Sequence, residues 1–255
     1  MNSRRTRGLV LRVSDHSEAD KIITFFSPDL GKVTGIAKGA KRSKQRFVNK
    51  LEEFSLLEIM YRPPRRNSLL FIVEAELEKA FLALRQNFKR YLVAMLIAEL
   101  VLRFTQEHDP DTEIFSLLLW AMSTLEKGED PLQTGALFHL RLLGAAGYRP
   151  ALDRCGLCGT TVKAGISYSL HPESGSLVCD GCGSSMSGPP VSLSVQTLKF
   201  LDYAQRLDLK NIDRLRLPKK NAEEALTFLN RYSRHLLQHD ITSWQQIRDL
   251  FSDRV

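Results

Sequence analysis

Residues 31–50 read GKVTGIAKGAKRSKQRFVNK, and their reading decides the fold. The stretch begins as a strand, with Val33, Ile36 and Ala37 apolar between glycines. It then turns basic. From Lys38 to Lys50 there are six Lys or Arg and no Asp or Glu. Such a run cannot bury its charges without partners, so it belongs on the surface, either solvated or against something anionic.

Around this stretch, residues 1–80 carry five strand-like segments. Residues 7–13 alternate, with Leu9, Leu11 and Val13 on one face. Residues 21–27 are β-branched and aromatic, residues 31–37 follow a Ser-Pro-Asp turn signal, and residues 54–61 and 69–76 flank an Arg-Pro-Pro-Arg-Arg-Asn turn. Five short strands with no long helix between them call for a small closed antiparallel sheet, SH3-like or OB-fold. The basic loop after the third strand favours the OB-fold, which holds single-stranded nucleic acid by charge and by stacking.

The charge distribution agrees. Residues 1–80 hold 16 Lys/Arg against 10 Asp/Glu, whereas the remaining 175 residues hold 20 against 19. The basic character therefore belongs to the N-terminal unit and points to nucleic acid. A membrane surface fits less well, because no basic amphipathic helix accompanies the charge. The N-terminus does not read as a signal peptide, and the apolar run at 92–102 is too short for a membrane span. The expected location is cytoplasmic and nucleoid-associated.

Lys38, Lys41, Arg42, Lys44 and Arg46 are the candidate phosphate contacts. Phe47 has two readings, a base-stacking ring or an anchor pinning the loop to the barrel. One of the neighbours Phe25 and Phe26 is expected in the core, with the other open to stacking. Arg4, Arg5, Arg7, Arg62, Arg65 and Arg66 extend the positive surface if they are not simply solvated.

From residue 81 the apolar period becomes helical. Helices are expected over 87–106, 111–127 and 132–146, with Asp109 and Pro110 starting the second, Asp130 and Pro131 the third, and Gly147 closing it. Asp109, Asp111 and Glu113 read as capping rather than as a metal set, and His139 as a packed histidine. Three more helices are expected at 192–206, 221–238 and 243–253, the second capped by Asn221 with Glu224 three residues on. Arg231, Arg234, His235 and His239 read as a solvated face of it.

Cys155, Cys158, Cys179 and Cys182 form two C-x-x-C pairs separated by 20 residues. Each pair can place two thiolates on one tetrahedral ion, so the four predict a structural Zn²⁺ site in a zinc ribbon, with a four-Cys iron site as the alternative. The ribbon hairpin is expected from residues 167–170 and 176–178, with His171 near its tip. No open metal position is expected, and no Walker A loop, H-E-x-x-H or G-x-S-x-G is present. Catalysis is not expected.

The run Gly8-Leu9-Val10-Leu11, Ser17-Glu18-Ala19-Asp20-Lys21-Ile22, Phe25-Phe26-Ser27, Leu30-Gly31-Lys32 and Ala37-Lys38-Gly39-Ala40-Lys41-Arg42-Ser43 resembles the bacterial RecO family. So does Phe138 to Pro150, and the four-Cys module matches one that many members carry. Glu53 stands where the family often has proline before Phe54. The resemblance implies an N-terminal OB-fold over 1–80, a helical domain over 81–150 and 191–255, and an inserted zinc module at 151–190. It implies a non-enzymatic recombination mediator that binds single- and double-stranded DNA, anneals complementary strands and helps load recombinase onto coated strands. RecR and the acidic C-terminal tail of single-stranded-DNA-binding protein are the implied partners. A zinc-ribbon transcription or RNA-binding factor is the alternative, with a metal-dependent nuclease behind it.

Overall fold

The computed structural model describes residues 3–63, 69–171, 176–183 and 191–251. Arg65 and Arg66, the 172–175 turn and the expected helix end at Asp253 lie outside them. The chain divides into two compact units, residues 1–94 with 98–127, and residues 95–97 with 128–255.

In the first unit, β1 (Arg4–His16), β2 (Asp20–Ser27), β3 (Gly31–Ala37), β4 (Leu56–Arg62) and β5 (Leu70–Lys79) close a barrel in the order β1-β2-β3-β5-β4, with β4 pairing back onto β1. Every pairing is antiparallel except β3 with β5. This is the OB-fold arrangement expected from the five strand segments. Closure at the parallel seam requires Gly35. A Cβ there would lie 2.9 Å from Ile72 Cδ1 and 3.0 Å from the Leu70 carbonyl.

Period-2 alternation sends Ile23, Phe25, Val33, Leu57, Ile59 and Ile72 into the barrel core. Phe26 points to the other side of the sheet, yet it too is fully buried. Neither Phe25 nor Phe26 offers a stacking surface, so the stacking option that the sequence left open for one of them falls.

Between β3 and β4 the chain makes one 3₁₀ turn (Ala40–Arg42) and then runs through Phe47, Leu51 and Phe54, all buried. After the barrel come α1 (Leu82–Gln86), α2 (Phe88–Phe104) and α3 (Thr112–Lys127). Asn87 caps α2 by accepting from the Arg90 amide. Asp111, not Asp109, caps α3: its Oδ1 accepts from the Ile114 amide at 2.9 Å. Asp109 instead packs against Gly31, where φ is +68° and a Cβ would sit 2.1 Å from the Asp109 carbonyl oxygen. Lys32 Nζ, part-buried beside it, donates to the carbonyls of Leu102 (2.8 Å) and Thr105, so a barrel lysine closes the C-terminus of α2. Around Glu53, the Arg85 guanidinium donates to the Glu53 carbonyl at 2.9 Å, and Phe54, at φ +65°, meets the Tyr91 ring edge-on.

In the second unit α4 (Pro131–Ala145) is buried nearly all round, as an internal helix must be. It packs on α6 (Val195–Arg206) and α8 (Lys219–Leu237). Asp130 caps α4 with Pro131 in its first turn, and Gly147 closes it at φ +84°. His139, fully buried, bonds Ser233 Oγ at 2.6 Å through Nε2, as a packed histidine should. Asn221 does not cap α8. That helix starts after Pro218, and Asn221 is buried, donating to Thr197 Oγ1 at 2.9 Å. Glu224 instead accepts from the amide and hydroxyl of Ser194, the N-cap of α6. Short helices α7 (Leu209–Ile212) and α9 (Trp244–Asp249) complete the helical part.

Candidate nucleic-acid interface and candidate metal centre

The basic loop is shaped by the turn between β1 and β2. The Gly39 amide, at φ +69°, donates to Asp20 Oδ1 at 2.8 Å, and the Lys41 amide donates to the Ala19 carbonyl. Lys41 Nζ lies 2.9 Å from Asp15 and 3.1 Å from the Ser17 carbonyl, and Arg42 lies 3.5 Å from Glu18. The Arg42–Glu18 pair is largely solvated and contributes under about 1 kcal/mol, so phosphate can exchange for carboxylate there at small cost. Arg46 donates to the Val73 and Lys38 carbonyls and lies with its guanidinium carbon 5.0 Å from the centre of the Phe47 ring. Lys41 and Arg42 thus lie against the β1–β2 hairpin and Arg46 against β5, with Lys38 and Lys44 exposed on the same loop. The carboxylates that hold the loop, Asp15 at the end of β1, Glu18 in the β1–β2 turn and Asp20 at the start of β2, were missed by reading the run alone.

Phe47 is 3 % exposed and belongs to the barrel core. Its amide donates to Ser43 Oγ at 3.1 Å, tying the loop to itself. Of its two readings, the geometry supports the anchor: a ring so covered offers no face to a base, and the Arg46 guanidinium lies over it.

The barrel exterior is divided by charge. On β4 and β5, Glu58, Glu74, Glu76 and Glu78 project outward, with Arg5 2.7 Å from Glu58 and Arg7 2.6 Å from Glu78. Toward the basic loop, the outward positions of β2, β3 and β5 are instead Ile22, Ile36 and Phe71, which the register places side by side.

In the second unit β6 (Tyr168–His171) pairs with β7 (Ser176–Cys179) and with β8 (Val191–Leu193). The hairpin was legible in the sequence, the third strand was not. His171 is buried rather than at an exposed tip. The sheet and the one-turn α5 (Asp180–Gly183) bring Cys179 and Cys182 to Cys155 and Cys158. All four sulfurs lie within 4.8 Å of one another, the one such metal-capable group among the described residues.

Cys158 and Cys179 sulfurs are 3.7 Å apart. A tetrahedron with Zn–S bonds of about 2.3 Å has sulfurs about 3.8 Å apart, so the donor set fits the ion. The Cys179 amide donates to Cys155 Sγ at 3.4 Å, the kind of bond that stabilises a thiolate ligand. Hydrogen bonding by the Thr160 hydroxyl and amide pushes Cys158 down to about 6, while its thiol neighbours Cys179 and Cys158 push Cys182 up to about 12. Four sulfurs this close cannot all ionise unless a cation offsets their repulsion.

The family comparisons agree with this architecture. Residues 1–81 match the family model described as Recombination protein O N terminal, and residues 85–245 match Recombination protein O C terminal. The chain belongs to the RecO family. It is 30% identical over 254 residues to the DNA repair protein RecO of Syntrophus aciditrophicus, covering 98% of both chains. It is 33% identical over 222 residues to that of Syntrophobacter fumaroxidans, covering 85% of each, and 36% identical over 184 residues to that of Anaeromyxobacter dehalogenans, covering 71% of each. The RecO match spans both the barrel and the cysteine cluster, so the two candidate sites lie within regions the family shares. No helix among the described residues is long and apolar enough to cross a membrane.

Proposed function

We propose that this RecO-family protein is a DNA-repair mediator that works by binding, with no bond made or broken. Its barrel binds single- and double-stranded DNA through Lys38, Lys41, Arg42, Lys44 and Arg46, with Phe47 anchoring the loop. The observation that carries the reading is the concentration of these cations in one surface loop between β3 and β4 of an OB-fold barrel. A surface that neutralises phosphate lowers the repulsion between two strands, so it promotes annealing of complementary DNA without a catalytic residue.

By the family resemblance, the protein loads recombinase onto strands coated by single-stranded-DNA-binding protein, through RecR and that protein's acidic C-terminal tail. A protein in that role acts in the cytoplasm, on the nucleoid. Cys155, Cys158, Cys179 and Cys182 would hold Zn²⁺, which supplies fold and no reaction step.

The test is binding to a fluorescent single-stranded oligonucleotide over a salt series, for wild type and a variant with the five basic residues changed to Ala. Each lost phosphate contact is expected to flatten the log–log salt slope by about 0.7. An unchanged slope in a folded variant moves DNA off this loop. A strong preference for structured RNA favours the RNA-binding reading instead.

A further inference from the structure

The outer surface of the barrel carries an apolar row that its position does not require. Ile23, Val33, Ala37, Leu70 and Ile72 fill the inside, so their neighbours Ile22, Thr24, Thr34, Ile36 and Phe71 face outward. Ile22 lies opposite Ile36, Ile36 opposite Phe71, and Phe71 opposite Arg62. The three apolar side chains are half-buried.

A solvated strand face alternates apolar-in with polar-out, as Glu58, Glu74, Glu76 and Glu78 do on the acidic side. The row breaks that rule over three adjacent strands. Cations border it. The Arg62 guanidinium carbon lies 5.9 Å from the centre of the Phe71 ring. Arg46 bonds the carbonyl of Val73, two residues beyond Phe71. Lys38 follows two residues after Ile36, and Arg12 lies opposite Thr24.

We infer that the Ile22–Ile36–Phe71 row is the base-contacting platform for single-stranded nucleic acid, with Phe71 the stacking ring and Arg62 the cation beside it. The assignment rests on the proposed DNA binding and deepens it. The loop holds phosphates, and the row holds bases. The occupant follows from charge. A strand of exposed bases brings flat apolar faces to the row and phosphates to its basic border, while the carboxylates of β4 and β5 repel it from the other side. Duplex DNA keeps its bases stacked inside and gains nothing from the row.

The test uses the full-length protein and two fluorescent probes, an oligo-dT of about 20 nucleotides and an abasic deoxyribose-phosphate chain of equal length. Phe71→Leu keeps the apolar volume and removes the π face, and Phe71→Tyr keeps both. Stacking is worth about 1–3 kcal/mol per base, so Phe71→Leu should weaken oligo-dT binding roughly five- to hundredfold. The salt slope and the abasic affinity should hold, and Phe71→Tyr should bind like wild type.

Equal loss on both probes would show a merely structural role and overturn the platform. Wild-type affinity of Phe71→Leu for oligo-dT would overturn it as well, even where the five-residue loop variant flattens the slope. If that loop variant changes nothing while Phe71→Leu still loses oligo-dT alone, the platform stands and the loop assignment falls.

Discussion

The basic loop and the cysteine cluster solve opposite electrostatic problems. The loop gathers six like charges in 13 residues and keeps them apart, exposed or loosely paired with carboxylates of a neighbouring hairpin. Water and weak ion pairs suffice there, and a polyanion can displace both at low cost. The cluster draws four sulfurs within 4.8 Å, two of them, Cys155 and Cys179, almost without exposure. Solvent cannot compensate four thiolates at that spacing, so all four can ionise together only around a bound cation. A dispersed charge is suited to exchange of partners, and a concentrated one to permanent structure.

The largest expected effect breaks the cluster. Cys155→Ala removes a buried ligand, and structural zinc binding is worth about 10–16 kcal/mol in small modules. The variant should lose its metal on elemental analysis, and the module around β6–β8 should become protease-sensitive. Retention of one equivalent of metal would refute the four-ligand site. Iron in place of zinc would leave the ligand set standing and change only the ion.

A smaller effect breaks the other region. Gly35→Val drives a branched side chain into Ile72 and the Leu70 carbonyl, at a cost of at least about 1–3 kcal/mol. It should lower the barrel's thermal midpoint and weaken DNA binding while metal content stays the same. Loss of metal from this variant would show that the two regions are not independent.

The smallest effect is a pH dependence confined to the second unit. Burial pushes His139 down to about 3 from 6.5. Below pH 6.5 the unfolded chain takes up a proton that the folded imidazole refuses, so stability falls as pH drops toward 3. The slope approaches about 1.4 kcal/mol per pH unit. Denaturant unfolding from pH 7.5 to 5.5 should show it, and His139→Gln should flatten it. The difference between the two proteins isolates the imidazole from any acid release of metal. Equal slopes would remove His139 as the cause.

Much of this was legible in the chain because it depends on near neighbours. The two C-x-x-C pairs, the 38–50 charge run and the Asp130-Pro131 start of α4 are set by residues a few positions apart. Their meaning survives without knowing where the rest of the chain lies. The expected single face of Leu9, Leu11 and Val13, by contrast, is broken by a bulge after Val10, which sends Val10 and Val13 to the core side and Leu9 to the side of Phe26. The features that only tertiary structure decided join distant residues. Phe47 lies in a basic run yet is buried, because Leu51 and the barrel core close around it. Phe26 is as buried as Phe25, although the two point to opposite faces of one strand.

Glu224 looked like half of a local capping box and instead caps a helix that starts 30 residues away, at Ser194. Asp109 yielded the cap of α3 to Asp111, whose side chain reaches the Ile114 amide, while its own backbone closes against Gly31. The row from Ile22 through Ile36 to Phe71 exists only once β3 and β5 pair in parallel. The sequence by itself determined which residues carry charge, which can ligate a metal, and the order of the five barrel strands and the longer helices, because composition and short period suffice for these, while β8 and the one-turn helices escaped it. Which of those side chains face solvent, and which distant ones share a surface, was decided by strand pairing and close packing, because burial is a property of the whole unit and not of its neighbours in the chain.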